Sequence, residues 1–326
     1  MISFKRIFGL VLGLFVAGIV LLIAMNIRAD KPLAELKAKY ATPASRFIPI
    51  NGMPVHYRDE GPRQDSVPIV LLHGTGASLL TWNGWADTLT QHRRVIRLDL
   101  PAYGLTGPRE DGPREDGPRQ DTNAYSGAYY VTFLHNFLNR LGVTRCDMVG
   151  NSLGGMIAWR YALAYPAGVR RLVLIDAAGY PSQSASVPLA FRLARVPVLN
   201  QLLTYITPRS VIEQSLRNVY ADPNRVTDAL VDQYMDMALR AGNRRAFIAR
   251  LQNQTLDSTY QQIPRINQRT LILWGKQDNL IPVSNARRFQ QDLPNDTLLV
   301  MPGAGHVPME ELPRQSVLIA QPFLNQ

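Results

Sequence analysis

The chain has 326 residues, 46% of them hydrophobic, and its 35 Lys and Arg against 25 Asp and Glu give a formal net charge of +10. That size suits one large α/β domain with an insertion, or two small domains. Basic residues are scattered and no motif interleaves aromatics with them, so the charge reads as a cationic surface and no nucleic-acid partner is expected. Cys146 stands alone and the five histidines show no metal-ligand spacing, which excludes an internal disulfide and a thiolate metal cluster.

The N-terminus differs in kind. After Lys5 and Arg6, residues 7–25 (IFGLVLGLFVAGIVLLIAM) run for 19 residues without a charge, about the length that crosses a ~30 Å hydrocarbon core. The run exceeds the ~7–15 apolar residues of a secretory signal and lacks its A-x-A exit. An uncleaved transmembrane anchor is therefore expected, with the membrane as a partner. Lys5 and Arg6 compete with Arg28, Lys31, Lys37 and Lys39 beyond the run, so the positive-inside count does not set orientation. The short leading tail and large following domain favour an extracytoplasmic domain. Residues 26–46, including KPLAELKAKYATPASR, read as a polar, helical spacer.

Asn51-Gly52, between RFIPI and MPVHYRDEG, is a strong hairpin signal. Strand and helix signals then alternate through PIVLLHG, WNGWADTLT, RVIRLDLP, YYVTFLHNFLNRLG, RCDMVG, GMIAWRYALAY, RLVLIDAAG, TLILWG, SNARRFQQDLP and DTLLVMPG, to a closing helix from about residue 310. Such alternation predicts a mostly parallel sheet covered by helices on both faces. Residues 181–269 break the pattern. PRSVIEQSLRNVY, VTDALVDQYMDMALRAG and RRAFIARLQNQ are helical without a strand between them, which predicts a helical insertion over the sheet edge. The core then comprises residues 47–180 and 270–326. GPREDGPREDGPRQD repeats one five-residue unit from 107 to 121, and GPRQD recurs at 61–65. Gly-Pro pairs and balanced charges predict an exposed loop, an insertion tolerated at little cost in stability.

GNSLGG sets Ser152 between Gly150 and Gly154, after a strand-like run and before a helical one. A G-x-S-x-G elbow needs that context, because flanking glycines let the chain turn without a Cβ clash and leave the hydroxyl exposed above the sheet. The pattern also recurs by chance, so the case depends on a base, an acid and oxyanion donors elsewhere. Ligands collect at the carboxyl ends of strands in an open parallel sheet. Three such ends carry suitable groups: Gly74, Thr75 and Gly76 in LLHGTG, Asp278 in LWGKQD, and His306 in MPGAGHVP. Asp176 in LVLIDAAG is a second candidate acid. The loop through Asn279 and Pro282 is long enough to carry a carboxylate to the histidine, whereas AAG after Asp176 reads as a packed connection, so Asp278 is expected.

The chain order Ser152, Asp278, His306 fits this layout. A serine hydroxyl is a poor nucleophile at neutral pH, so His306 is expected to take its proton and later return it to the leaving group. Asp278 would hold the imidazole tautomer, and the backbone N–H groups of Leu153 and Thr75 would receive the oxyanion. His73 and Asp99 read as loop organisers, and Cys146 as a small buried strand residue.

With these motifs the chain resembles the α/β-hydrolases of the large single-domain family that includes meta-cleavage-product hydrolases, carboxylesterases, cofactor-free haloperoxidases and epoxide hydrolases. The resemblance runs from about Phe47 to Gln326 and rests on HGTG, DLPAYGLTG, GNSLGG, LVLIDAAGYP, LILWGKQDNLIP and GAGHVPMEE, in family order. It implies an α/β-hydrolase fold with the 181–269 insertion as the cap, and hydrolysis of a small-molecule ester without metal or other cofactor. The repeat and the N-terminal apolar run depart from the family, away from any catalytic position. Carbon–carbon bond hydrolysis and cofactor-free perhydrolysis share the motifs and stay open. Epoxide hydrolase or dehalogenase chemistry needs an aspartate where Ser152 stands, and a hydrolase-fold ligand-binding protein has no need of an intact triad. The cap holds the choice of substrate, and the sequence leaves the oligomeric state open.

Overall fold

The computed structural model describes residues 8, 13, 17, 18, 24–109, 124–181, 184–197, 199–253 and 257–326. Asn51 and Gly52 both take positive φ, 50° and 84°, the primed turn whose twist suits a two-residue hairpin. It joins β1 (Ser45–Ile50) to β2 (Met53–Glu60), with Ile50 paired to Met53. β2 runs antiparallel to β4 (Val95–Leu98). Beyond that edge β4, β3 (Ile69–Leu72), β5 (Cys146–Asn151), β6 (Val169–Ile175), β7 (Arg269–Gly275) and β8 (Asp296–Met301) are parallel, and the full order is β1-β2-β4-β3-β5-β6-β7-β8.

Side chains alternate across each strand. On β6, Leu172 and Leu174 pack with Phe133, Phe137 and Trp159 from the helices Gly127–Arg140 and Leu153–Ala164. Val173 and Ile175 pack on the other face with Trp82, Trp85 and Val317, the last from the closing helix Pro313–Asn325. Each large apolar side chain buried in this way contributes about 1.5–3 kcal/mol relative to exposure. With helices on both faces, β3 is buried at all its positions and reads as the unbroken apolar run IVLL. Cys146 is fully buried at the start of β5, and burial pushes its thiol acid well above the usual value.

Between β6 and β7 lie the helices Leu189–Ala194, Leu199–Leu202, Arg209–Val219, Asp228–Leu239 and Asn243–Gln252, then a 3₁₀ stretch, Ser258–Arg265. Thr227 caps the Asp228–Leu239 helix by accepting from the Leu230 N–H at 3.2 Å, as a threonine at that point does.

The expected transmembrane anchor does not stand, and the membrane localisation falls with it. Most of residues 7–25 lie outside the described residues. Among the described residues no helix is long and apolar enough to cross a membrane. A helical span needs about 20 continuous apolar residues; next to the described helical residues 24–26, Ile27 forms a β-bridge with Ile206.

Residues 26–46, expected as a spacer, are docked along the cap. The Asn26 carbonyl accepts from the Thr207 N–H at 3.1 Å, and the Arg28 and Lys31 N–H groups donate to Tyr205 and Leu239 at 2.9 and 2.6 Å. Asp30 pairs with Arg244 at 2.6 Å. Asp236 gathers Lys31 at 2.8 Å, Lys39 at 2.7 Å and the Tyr40 hydroxyl at 2.7 Å, while Leu36 is fully buried beside Leu105 and Met237. Most of the GPRED repeat, residues 110–121, lies outside the described residues. The copy at 61–65 is anchored through Asp65, which accepts from Arg93 at 2.7 Å and from the Arg94 N–H at 3.1 Å.

Candidate active site

β5 ends at Asn151 and the next helix begins at Leu153, so Ser152 alone makes the turn. Its φ of 53° and ψ of −114° lie outside the regions that L-residues favour, a local strain that the surroundings must hold. They do so through three hydrogen bonds of 3.0 Å, from the Ser152 N–H to the Ile175 carbonyl and from the Met156 and Ala178 N–H groups to the Ser152 carbonyl. A Cβ on Gly150 would lie 2.2 Å from the Gly154 carbonyl oxygen, and one on Gly154 2.1 Å from that of Leu72. Strand, turn and helix approach this closely only because both positions are glycine.

His306 sits in the glycine-rich loop after β8. Its N–H donates to the Val219 carbonyl at 2.7 Å, and the Asn151 side-chain amide donates to its carbonyl at 2.9 Å. Glu311 accepts from the Gly305 and Asp222 N–H groups, each at 2.8 Å, and so ties this loop to the cap. The imidazole Nδ1 is 2.7 Å from Asp278 Oδ2. Asp278 Oδ1 accepts from the Leu280 and Ile281 N–H groups at 2.8 and 3.0 Å. With a carboxylate accepting at Nδ1, that nitrogen carries the proton in the neutral ring and Nε2 is the basic one.

Asp176, the second candidate acid, belongs to the same cluster. Oxygen or nitrogen atoms of Asp176, Asp278 and His306 lie within 4.8 Å of one another. Asp176 has φ of 45° and is fully buried, with Oδ1 accepting from the Gly275 N–H at 2.8 Å. Burial, then the neighbouring Asp278 charge, pushes its carboxyl acid well above the usual range. Such a trio has donors suited to a cation, but Asp278 Oδ2 and His306 Nδ1 face each other, and the other Asp278 oxygen already carries two backbone donors.

Thr75 lines the same cavity as Ser152 and His306. Among the described residues no backbone carbonyl takes its N–H. Leu153 opens its helix, where backbone N–H groups have no carbonyl partner within the helix. His73 organises the loop that carries Thr75: Nε2 accepts from the Leu100 N–H at 2.9 Å, so Nδ1 is the nitrogen that donates to the Gly74 carbonyl at 2.8 Å. Burial drives the ring toward its neutral form. Asp99 accepts from the Leu79 and Leu105 N–H groups at 2.7 and 2.8 Å and meets His56 Nδ1 at 2.7 Å. Burial opposes its charge, yet these partners hold its acid below the usual range.

The cavity measures about 170 Å³. Ser152, His306 and Thr75 line it, together with Phe191, Leu203, Val211, Ile212, Leu216, Phe247 and Ile248 from the segment between β6 and β7. Among the described residues that line it, Arg244 is the single Lys, Arg, Asp or Glu, and its guanidinium is engaged by Asp30, Thr207 and the Arg28 carbonyl. Sequence reasoning missed Asn151 and Glu311, both buried. A signal for each was present, an amide beside the elbow serine and a pair of acids, Glu310 and Glu311, directly after GHVPM.

A family model described as the alpha/beta hydrolase fold matches residues 67–313. A 2-hydroxy-6-oxononadienedioate/2-hydroxy-6-oxononatrienedioate hydrolase from Paraburkholderia phymatum is 30% identical over 271 residues, covering 77% of this chain and 84% of its own. Among solved structures, a bacterial membrane phospholipase A superposes with a TM-score of 0.71 at 27% identity, over 99% of this chain and 98% of that one. A putative lipase from Acinetobacter baumannii also gives 0.71, at 25% identity over 91% and 97%. Matched by that family model over well more than half its length, with a parallel sheet and a strand–serine–helix elbow, the chain belongs to the α/β-hydrolase fold family and is a hydrolase.

Proposed function

We propose that the protein hydrolyses carboxylic esters with an apolar acyl chain, by acyl transfer to Ser152 and then to water. The observation that carries this reading is the opening of the strained Ser152 turn into an apolar cavity shared with His306, whose Nδ1 meets Asp278 at 2.7 Å. His306 Nε2 takes the Ser152 proton as Oγ attacks the ester carbonyl, and gives it to the departing alcohol. Asp278 keeps Nδ1 protonated and stabilises the imidazolium formed in that step. Negative charge on the tetrahedral oxygen falls to the Thr75 and Leu153 N–H groups, each worth roughly 3 kcal/mol in the transition state. Water, activated by the same Nε2, then releases the acid.

Carbon–carbon hydrolysis is the competing chemistry, because the relative from Paraburkholderia phymatum is named for a dioate substrate. A dioate carries two carboxylates, and among the described residues lining this cavity the one guanidinium, that of Arg244, is already committed to Asp30. Leaving two buried carboxylates unpaired costs several kcal/mol each, so a neutral ester fits better. The test is a panel of p-nitrophenyl esters of rising acyl length, run beside a dienedioate of the kind that names the relative. Turnover of the esters, lost in Ser152→Ala, supports the reading. Turnover of the dienedioate with no ester cleaved would overturn it.

A further inference from the structure

We propose that Asp176 is a positioning residue of the catalytic apparatus: its carboxyl, neutral and protonated on Oδ2, donates a hydrogen bond to Asp278 and fixes that carboxylate against His306. This rests on the triad reading above. Asp176 is fully buried, and Oδ1 takes the Gly275 N–H at 2.8 Å. Among the described residues no donor reaches Oδ2, which is buried as well, while the Asp278 carboxylate lies within the same 4.8 Å cluster. A buried oxygen without a donor costs about 1–3 kcal/mol, and more when it is charged. Two buried carboxylates this close cannot both be ionised. One proton on Asp176 Oδ2 resolves both conflicts, because it gives the orphan oxygen a partner and leaves a single negative charge in the pair.

The surroundings assign that proton to Asp176. Asp278 takes two backbone N–H groups and His306 Nδ1, three donors that all favour its charged form. Asp176 has one backbone donor and faces the charges of Asp278 and Glu311, so burial and both neighbours favour its neutral form. The neighbouring strands make the arrangement rigid. Asp176 N–H donates to the Leu273 carbonyl at 3.1 Å, and its φ of 45° is one that Asp and Asn tolerate better than other L-residues. Asp278 is thus held from three sides, by its own turn, by His306 and by Asp176.

The asparagine variant decides between this role and the alternatives. The amide introduced by Asp176→Asn would present N–H where the carboxyl presents O–H, so this variant should keep kcat within about threefold of the parent. Asp176→Ala removes the donor, and kcat should fall about 10–100-fold with KM unchanged, the size seen when an outer partner of a functional ligand is lost. In an Asp278→Asn background the Ala substitution should cost nothing further, because there is no carboxylate left to hold. A structural role alone would give equal losses in both backgrounds. The rate at which a fluorophosphonate labels Ser152 is measured on the same variants, and reads the triad even if no ester of the panel is turned over. Inactivity of Asp176→Asn, in a folded protein, would overturn the proposal and make Asp176 an ionised acid or a cation ligand. The asparagine result stands whether or not the alanine variant folds.

Discussion

Replacing Asp278 by Asn tests the acid with the least change of shape. Asp278 Oδ1 accepts two backbone N–H groups, from Leu280 and Ile281, so the amide oxygen must stay there. Turning the amide over would set an NH₂ group against those two donors and strand both, at about 1–3 kcal/mol each. The NH₂ group therefore takes the place of Oδ2, 2.7 Å from His306 Nδ1, and donates to it. His306 then accepts at Nδ1 and carries its proton on Nε2, where it cannot receive the Ser152 proton. Holding the wrong tautomer costs about 10⁴-fold in kcat in a serine triad, or about 5.5 kcal/mol at 1.36 kcal/mol per factor of ten. We expect a loss of that order, with KM near the parent value and the circular dichroism spectrum unchanged. The assay is steady-state hydrolysis of a p-nitrophenyl ester, paired with fluorophosphonate labelling of Ser152. A folded variant that loses less than about tenfold would refute the assignment and send the search for the acid elsewhere.

Three further outcomes follow from the same geometry. Ser152→Ala should abolish both hydrolysis and labelling while the protein stays folded; retention of more than a few per cent of activity would mean that Ser152 is not the nucleophile. Gly154→Ala sets a Cβ 2.1 Å from the Leu72 carbonyl oxygen, so it should cost roughly 1–3 kcal/mol, the usual range for overpacking, and lower kcat as the elbow shifts; a variant with parental Tm and kcat would contradict the close approach. Asp236 is held below its usual acid range by Lys31 and Lys39 against the opposing effect of burial, so its stabilisation is present at neutral pH and is lost as pH falls below about 4, where the unfolded chain binds the proton first; Asp236→Asn should lower Tm at pH 7 and flatten its fall in acid, and an unchanged acid profile would refute the latch.

The sheet was legible because its signals are local. Asn51-Gly52 admits few backbone shapes other than the positive-φ hairpin observed, and a strand buried on both faces must be as apolar as Ile69–Leu72. The candidate site was legible for a related reason. Loops after parallel strands end on one edge of the sheet, so residues far apart in sequence, such as His306 and Asp278, need only stand at the right strand ends to meet.

What stayed hidden depends on partners that no local pattern names. Residues 26–46 look like a spacer because Lys31, Lys39 and Asp30 are charged, yet each finds its opposite on a cap helix about two hundred positions away, at Asp236 or Arg244. The apolar run at 7–25 satisfied the length criterion for a span, a criterion that tests composition alone, and among the described residues no helix is long and apolar enough to cross a membrane. Directly after the run the chain enters a β-bridge at Ile27. Asp176 is the sharpest case. From sequence, the two strand-end acids compete for one role, since either could reach the histidine loop. Their packing within one 4.8 Å cluster turns competition into division of labour: the acid with three donors is suited to carry the charge, and the acid with one backbone donor is suited to carry the proton. Spacing along the chain cannot express that difference, because it is set by how many N–H groups each carboxyl meets once the strands are assembled.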